Sequence, residues 1–252
     1  MSGNTLGAKK FTALTVVRAG LFIAMSLVLK VIFEIYIPLA GMPALRINFA
    51  SVPIMLSGII LGPVMGICTG AAADIINFIV KPGGPFFPGF TLVSALSGMI
   101  PGIIFKYMKK ELNYNLLNTV FISLLSVAFV GVFLSKGLLL FEGNTFIYNG
   151  KPLSFLYIVG FIVLIAAYLL IPIKLTVSGS QNLQMNKIVF TVSVTQLITS
   201  ILLNTYFLSI MYGKGFLIFL PARILTNFFM IPLYSIIIAA ILKSLEKRFL
   251  KP

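Results

Sequence analysis

Arg46-Ile-Asn-Phe-Ala-Ser-Val-Pro-Ile-Met-Leu-Ser-Gly58-Ile-Ile-Leu-Gly62-Pro63-Val-Met-Gly66-Ile-Cys-Thr-Gly70-Ala-Ala-Ala-Asp74-Ile-Ile-Asn-Phe-Ile-Val80 is apolar for almost its whole length. One helix over that stretch would be about 52 Å long at roughly 1.5 Å per residue, and a bilayer core is about 30 Å thick. Gly62-Pro63 stands near the middle, and proline cannot continue a helical hydrogen-bond ladder. The reading therefore divides the stretch into spans 47–61 and 64–80, with one strongly kinked span as the alternative. Small residues recur every four positions at Gly58, Gly62, Gly66 and Gly70, and the series ends on Asp74. In lipid such a stripe lets helix backbones approach closely.

The rest of the chain has the same character. Of 252 residues 59% are apolar and 10% charged, with a mean hydropathy of +1.09. Soluble domains carry about 25% charged residues, so an ordinary soluble enzyme is excluded, as is disorder. There is no histidine and one cysteine, Cys68, which excludes disulfides and His/Cys metal clusters. The expected fold is an all-α polytopic membrane helix bundle of about eight spans, at 13–37, 47–61, 64–80, 88–108, 116–140, 153–174, 187–212 and 216–243. Nothing alternates as in a membrane β-barrel.

An even number of spans puts both termini on one side. With the N-terminus cytoplasmic, that side collects twelve cations: Lys9, Lys10, Arg18, Lys106, Lys109, Lys110, Lys174, Lys187, Lys243, Lys247, Arg248 and Lys251. The outer half keeps seven: Lys30, Arg46, Lys81, Lys136, Lys151, Lys214 and Arg223. That bias follows the positive-inside rule. The net charge of +14 does not point to nucleic acid, because the cations form no stripe; the lipid bilayer, through its anionic headgroups, is their partner. No linker divides the chain, so residues 1–252 read as a single membrane domain. Residues 113–186 read as a plain apolar hairpin, with an outer loop at Phe141–Lys151, added to a core at 11–112 and 187–245.

Asp74 is the carboxylate read as lying inside a span away from its ends, where a charge is costly and faces a partner or a cavity. It is either ion-paired with Arg46 or Lys81, or a ligand group that accepts paired hydrogen bonds from an amino-pyrimidinone edge. Phe86, Phe87 and Phe90 stand in the Pro/Gly-rich run Lys81–Phe90, as interface anchors or as a lid stacking on a flat ligand. Arg46, Lys214 and Arg223 are outer-half cations suited to an anion. Asn204 and Tyr206 add polar groups nearby, with interhelical hydrogen bonding as the plainer role. Gly20 and Ala24 make a small-residue face on the first span, for packing or for a partner helix.

The run Leu203-Asn-Thr-Tyr-Phe-Leu-Ser-Ile-Met-Tyr-Gly-Lys214, followed by Leu220-Pro-Ala-Arg223, resembles the folate-specific S components of energy-coupling factor (ECF) transporters. Arg46-Ile-Asn-Phe49, Gly62-Pro63, Ala73-Asp-Ile-Ile76 and Phe87-Pro-Gly-Phe-Thr-Leu92 resemble the same family in the same order. The resemblance implies a six-helix core, with 113–186 as an inserted helical hairpin, and a bacterial cell-membrane protein. It implies capture of folate or reduced folate outside the cell. Delivery would run through one transmembrane coupling (T) subunit, docked on Gly20 and Ala24, and two ATPase subunits. Family members often carry Trp where Tyr206 stands. Folate would be transported rather than held as a cofactor. The rivals are an S component for another vitamin (thiamine, pantothenate, riboflavin or a queuosine precursor), a membrane-embedded enzyme, for which there is no nucleophile–base set, and a ligand-free scaffold. No P-loop run is present, so the energy must come from partner chains.

Overall fold

The computed structural model describes residues 12–39, 42–82, 84–108, 112–135, 139–142, 145–148, 151–152, 185–213 and 215–249. The expected helix bundle is present. Among the described residues five helices are long and apolar enough to cross a bilayer: Ala13–Phe33, Pro63–Val80, Pro88–Tyr107, Met185–Tyr212 and Thr226–Leu245.

Helix α1 (Ala13–Phe33) opens on Thr12, whose side chain accepts from the Thr15 N–H and so satisfies an orphan donor of the first turn. It stops four residues before the expected end of its span. Ile35–Leu39 (β1) and Met42–Ile47 (β2) instead form an antiparallel hairpin, with Tyr36 opposite Arg46. Branched and aromatic residues beside Pro38 and Pro43 favour extended backbone over helix. Arg46 thus lies in a strand and does not open a helix.

Helix α2 (Ser51–Leu61) has 11 residues, about 16 Å, and cannot cross a bilayer alone. Gly62 closes it with φ 95°, a conformation glycine reaches without strain, and its N–H bonds the Gly58 carbonyl. Pro63 then occupies the first turn of α3 (Pro63–Val80), where its missing N–H costs nothing. The division at Gly62-Pro63 is as the sequence indicated.

Helix α4 (Pro88–Tyr107) runs back beside α2 and α3. A Cβ on Gly98 would stand 2.1 Å from the Gly66 carbonyl oxygen, and one on Gly66 would stand 2.4 Å from that of Gly98. Gly58 and Gly70 meet the Gly98 and Ser94 carbonyls at 1.9 and 2.1 Å in the same way. Gly58, Gly66 and Gly70 of the every-fourth series therefore belong to a seam of three helices in backbone contact, while Gly62 serves the turn between α2 and α3.

Helix α5 (Tyr114–Ser135) is the first arm of the expected hairpin. The connection after it, expected as a loop, holds three short antiparallel strands: β3 (Leu139–Glu142), β4 (Thr145–Tyr148) and β5 (Lys151–Pro152). The second arm, 153–174, lies outside the described residues. The span expected at 187–212 consists of α6 (Met185–Gln196), a π-helical segment (Leu197–Asn204) and α7 (Thr205–Tyr212). Helix α8 (Phe216–Phe249) has 34 residues, about 51 Å, more than a bilayer core needs.

The largest buried apolar cluster joins α2, α5, α6 and α8 through Leu56, Ile122, Ile188, Val192, Phe228, Ile231 and Ile238. The glycine seam lies beside it. The ends of α1 and α3 and the starts of α2, α4 and α8 converge at one end of the bundle, where a cavity opens.

Candidate functional site

The cavity holds about 170 Å³ accessible to water and is walled by α1, the start of α2, α3, the 84–90 segment, α4, the π segment, α7 and α8. Six of the nine ligand-site residues expected from sequence line it: Asp74, Phe86, Phe87, Phe90, Asn204 and Arg223.

Asp74 is half-buried on α3. Thr91 Oγ1 donates to its Oδ2 at 2.8 Å and Ser94 Oγ to its Oδ1 at 3.3 Å. Both hydroxyls come from the start of α4, so the α3–α4 seam fixes the carboxylate's rotamer. Each oxygen keeps a second acceptor position. Lys81, one of the two cations considered as a partner for Asp74, is engaged elsewhere. Its Nζ stands 3.9 Å from Glu34 Oε2 and 3.2 Å from the Val31 carbonyl oxygen at the end of α1.

The aromatic residues gather as expected, with one change. Phe87 packs on Phe90 at 5.6 Å between ring centroids, and Phe78 on Phe86 at 5.1 Å. Phe207 packs on both Phe87 (5.5 Å) and Phe90 (6.4 Å, edge to face). Tyr206 is 53% exposed and does not line the cavity; its ring leans on the outer side of Phe207 at 5.7 Å. Neighbours on a helix point about 100° apart, so the two rings diverge: Phe207 packs behind Phe87 and Phe90, and Leu208 is the residue that reaches the cavity wall.

Arg223 is 7% exposed, and its backbone carbonyl accepts from Asn227 Nδ2 at 2.7 Å. Asn227 also donates to Ser200 Oγ at 3.0 Å, which joins α8 to the π segment. The wider turn of that segment presents Thr199, Ser200 and Asn204 to the cavity. Arg46 is placed by its strand backbone only, and Lys214 lies outside the described residues. Gly20 and Ala24 lie on the exposed face of α1, and a Cβ on Gly20 would meet nothing within 4 Å.

Sequence reasoning singled out none of Lys30, Glu34, Asn77, Gln196 and Tyr234, which also line the cavity. Lys30 is buried, and its Nζ donates to the Asn77 carbonyl oxygen at 3.0 Å. The Tyr234 hydroxyl donates to the Asn48 carbonyl, which ties α8 to the start of α2. The available signal was Lys30 four residues before Glu34 at the end of a span, a spacing that places both on one helical face.

A family model described as the S component of the ECF-type riboflavin transporter matches residues 10–177, more than half of the chain. The chain belongs to this family of ECF-type S components. Such a subunit is a multi-pass membrane protein that binds a substrate and is not an enzyme. Over 90 residues, 36% of the chain, this S component is 32% identical to the folate transporter FolT of Clostridium novyi, and the match covers 51% of that protein. It thus spans about half the length of that relative. Over 64 residues it is 36% identical to an uncharacterized protein of Mycoplasma pneumoniae, a match covering 25% of this chain and 13% of the other. Among solved structures, the crystal structure of FolT bound with folic acid aligns with a TM-score of 0.49 at 17% identity, covering 89% of this chain and 94% of that one.

Proposed function

We propose that this S component binds folate or a reduced folate and hands it to an ATP-driven coupling module. The observation that carries the reading is Asp74, a carboxylate on the cavity wall whose two oxygens are held by hydroxyl donors and can still accept. A pterin offers an exocyclic amine beside a ring N–H, two donors that a carboxylate accepts together. The flavin ring of riboflavin offers at the corresponding edge an N–H flanked by two carbonyl oxygens, which a carboxylate repels. The phenylalanines suit a flat ring, and Lys30 and Arg223 suit the carboxylates of a glutamate tail. The match to a folate transporter agrees with this assignment.

The deciding measurement is calorimetry on the detergent-purified chain without ATP, with folic acid and with riboflavin as titrants. Folic acid is expected to bind at least about 100-fold more tightly, since an unpaired buried polar group costs a few kcal/mol. Tighter binding of riboflavin overturns the assignment.

We place the chain in the bacterial cell membrane with both termini cytoplasmic. The cavity, at the opposite end of the bundle from the start of α1, then opens outward. The coupling subunit docks on Gly20 and Ala24, where Val17, Leu21 and Val28 add exposed apolar surface. Gly20→Leu is expected to leave folate binding unchanged and to reduce co-purification with the coupling subunit and the two ATPase subunits at least about tenfold, because small-residue interfaces depend on close backbone approach. Undiminished co-purification moves the interface elsewhere.

A further inference from the structure

Asn77 keeps an unused acceptor beside Asp74. It stands three residues after Asp74 on α3, both residues line the cavity, and Asn77 is 5% exposed. Its Nδ2 donates to Ser26 Oγ on α1 at 3.2 Å, which pins the amide, and its backbone carbonyl accepts from Lys30 Nζ at 3.0 Å. The side-chain Oδ1 is buried and has no hydrogen-bond partner. An amide oxygen shut away from water without a donor is costly, so this position calls for a donor that arrives with the ligand.

Residues three apart on a helix share a face, with Cβ atoms about 5–6 Å apart. A primary aromatic amine carries two hydrogens about 120° apart, so two acceptors each about 2.9 Å from its nitrogen stand about 5 Å from one another. The spacing of Asp74 and Asn77 is of that size. Resting on the folate reading of the site, we propose that Asn77 Oδ1 accepts the second hydrogen of the pterin 2-amino group, while Asp74 takes the first together with the ring N–H. Asn77 is then a specificity residue that separates a primary 2-amino group from a substituted one. A methyl in place of the second hydrogen leaves Oδ1 unpaired. The two acceptors are set independently, Asp74 from α4 by Thr91 and Ser94 and Asn77 from α1 by Ser26.

The test compares folic acid with its analogue carrying one methyl on the 2-amino nitrogen. That analogue keeps the ring N–H, one amine hydrogen, the aromatic middle and the glutamate tail. Both are titrated calorimetrically into the wild-type chain, Asn77→Leu and Asn77→Ala, with thermal unfolding recorded for each. Asn77→Leu keeps the volume of the amide, and Asn77→Ala covers the case in which the leucine variant does not fold.

Wild type is expected to favour folic acid at least about tenfold. The variants are expected to weaken folic acid about 5- to 30-fold, the range of a buried hydrogen bond, and the methylated analogue less than about threefold. Equal losses for both ligands overturn the proposal by giving Asn77 a role in the fold alone. An unchanged affinity for folic acid in a folded variant overturns it as well. A wild type that binds the methylated analogue as tightly as folic acid also overturns it, whether or not either variant folds. A wild type that binds neither ligand refutes the folate reading itself, a result distinct from all of these.

Discussion

Gly98→Leu removes the folded protein: purified in detergent, the variant is expected to unfold at least about 10 °C below the parent or to elute as aggregate. The Cβ of any residue at this position lands 2.1 Å from the Gly66 carbonyl oxygen and 2.9 Å from the Gly66 Cα. Both obstacles are backbone, so no rotamer change relieves them. Gly66 faces the same obstacle in return from the Gly98 carbonyl. Helices α3 and α4 must therefore separate, which opens the seam along Gly58, Gly70 and Gly102 too. Overpacking in a close-packed interior costs about 1–3 kcal/mol when side chains can adjust, and more where backbone must move. About 3–6 kcal/mol corresponds to roughly 6–24 °C for a chain of this size, with about 10 °C reached over most of that range. A midpoint within about 2 °C of the parent refutes the seam. Gly20→Leu is the internal control, since it adds the same side chain where nothing lies within 4 Å.

Asp74→Asn is expected to weaken folic acid binding by about 30- to 1,000-fold and to leave the unfolding midpoint within a few degrees of the parent. The amide keeps one oxygen, which Thr91 or Ser94 can still approach, so the α3–α4 contact survives. What is lost is one of the two acceptors and the negative charge that strengthens both bonds. A hydrogen bond to a charged group contributes about 1.5–3 kcal/mol, and the new amide N–H₂ would face the ligand amine donor to donor. Calorimetry checks the affinity and thermal unfolding checks the fold. An affinity within threefold of the parent removes Asp74 from the site.

Most of the bundle was legible because membrane-spanning segments announce themselves by length and apolarity, and Gly62-Pro63 punctuates the one ambiguous stretch. The strands at 35–47 and 139–152 were not. Ile35-Tyr36-Ile37 and Leu139-Leu140-Phe141 continue the apolar signal of the helices before them, and hydropathy does not tell an extended run from a helical one. The cavity's acid and its phenylalanines were legible, the first as an isolated charge in an apolar segment and the second as rings between prolines. Phe207 was passed over for Tyr206, because choosing between neighbours requires the rotation of the helix. That rotation is set by the π segment, which has no composition of its own: Leu-Ile-Thr-Ser-Ile-Leu-Leu-Asn reads like any apolar helix. Lys30 and Asn77 were missed for another reason. Their meeting depends on α1 lying against α3, with 47 positions of chain between them.

An α-helix turns about 100° per residue, so losing one residue between Leu197 and Asn204 would tighten the wide coil and swing everything after it by roughly that angle relative to what precedes it. Deletion of a single codon could then change which side chains greet an incoming molecule without altering one of them. For a lineage of importers built on one scaffold, that is a short mutational path from one vitamin to the next.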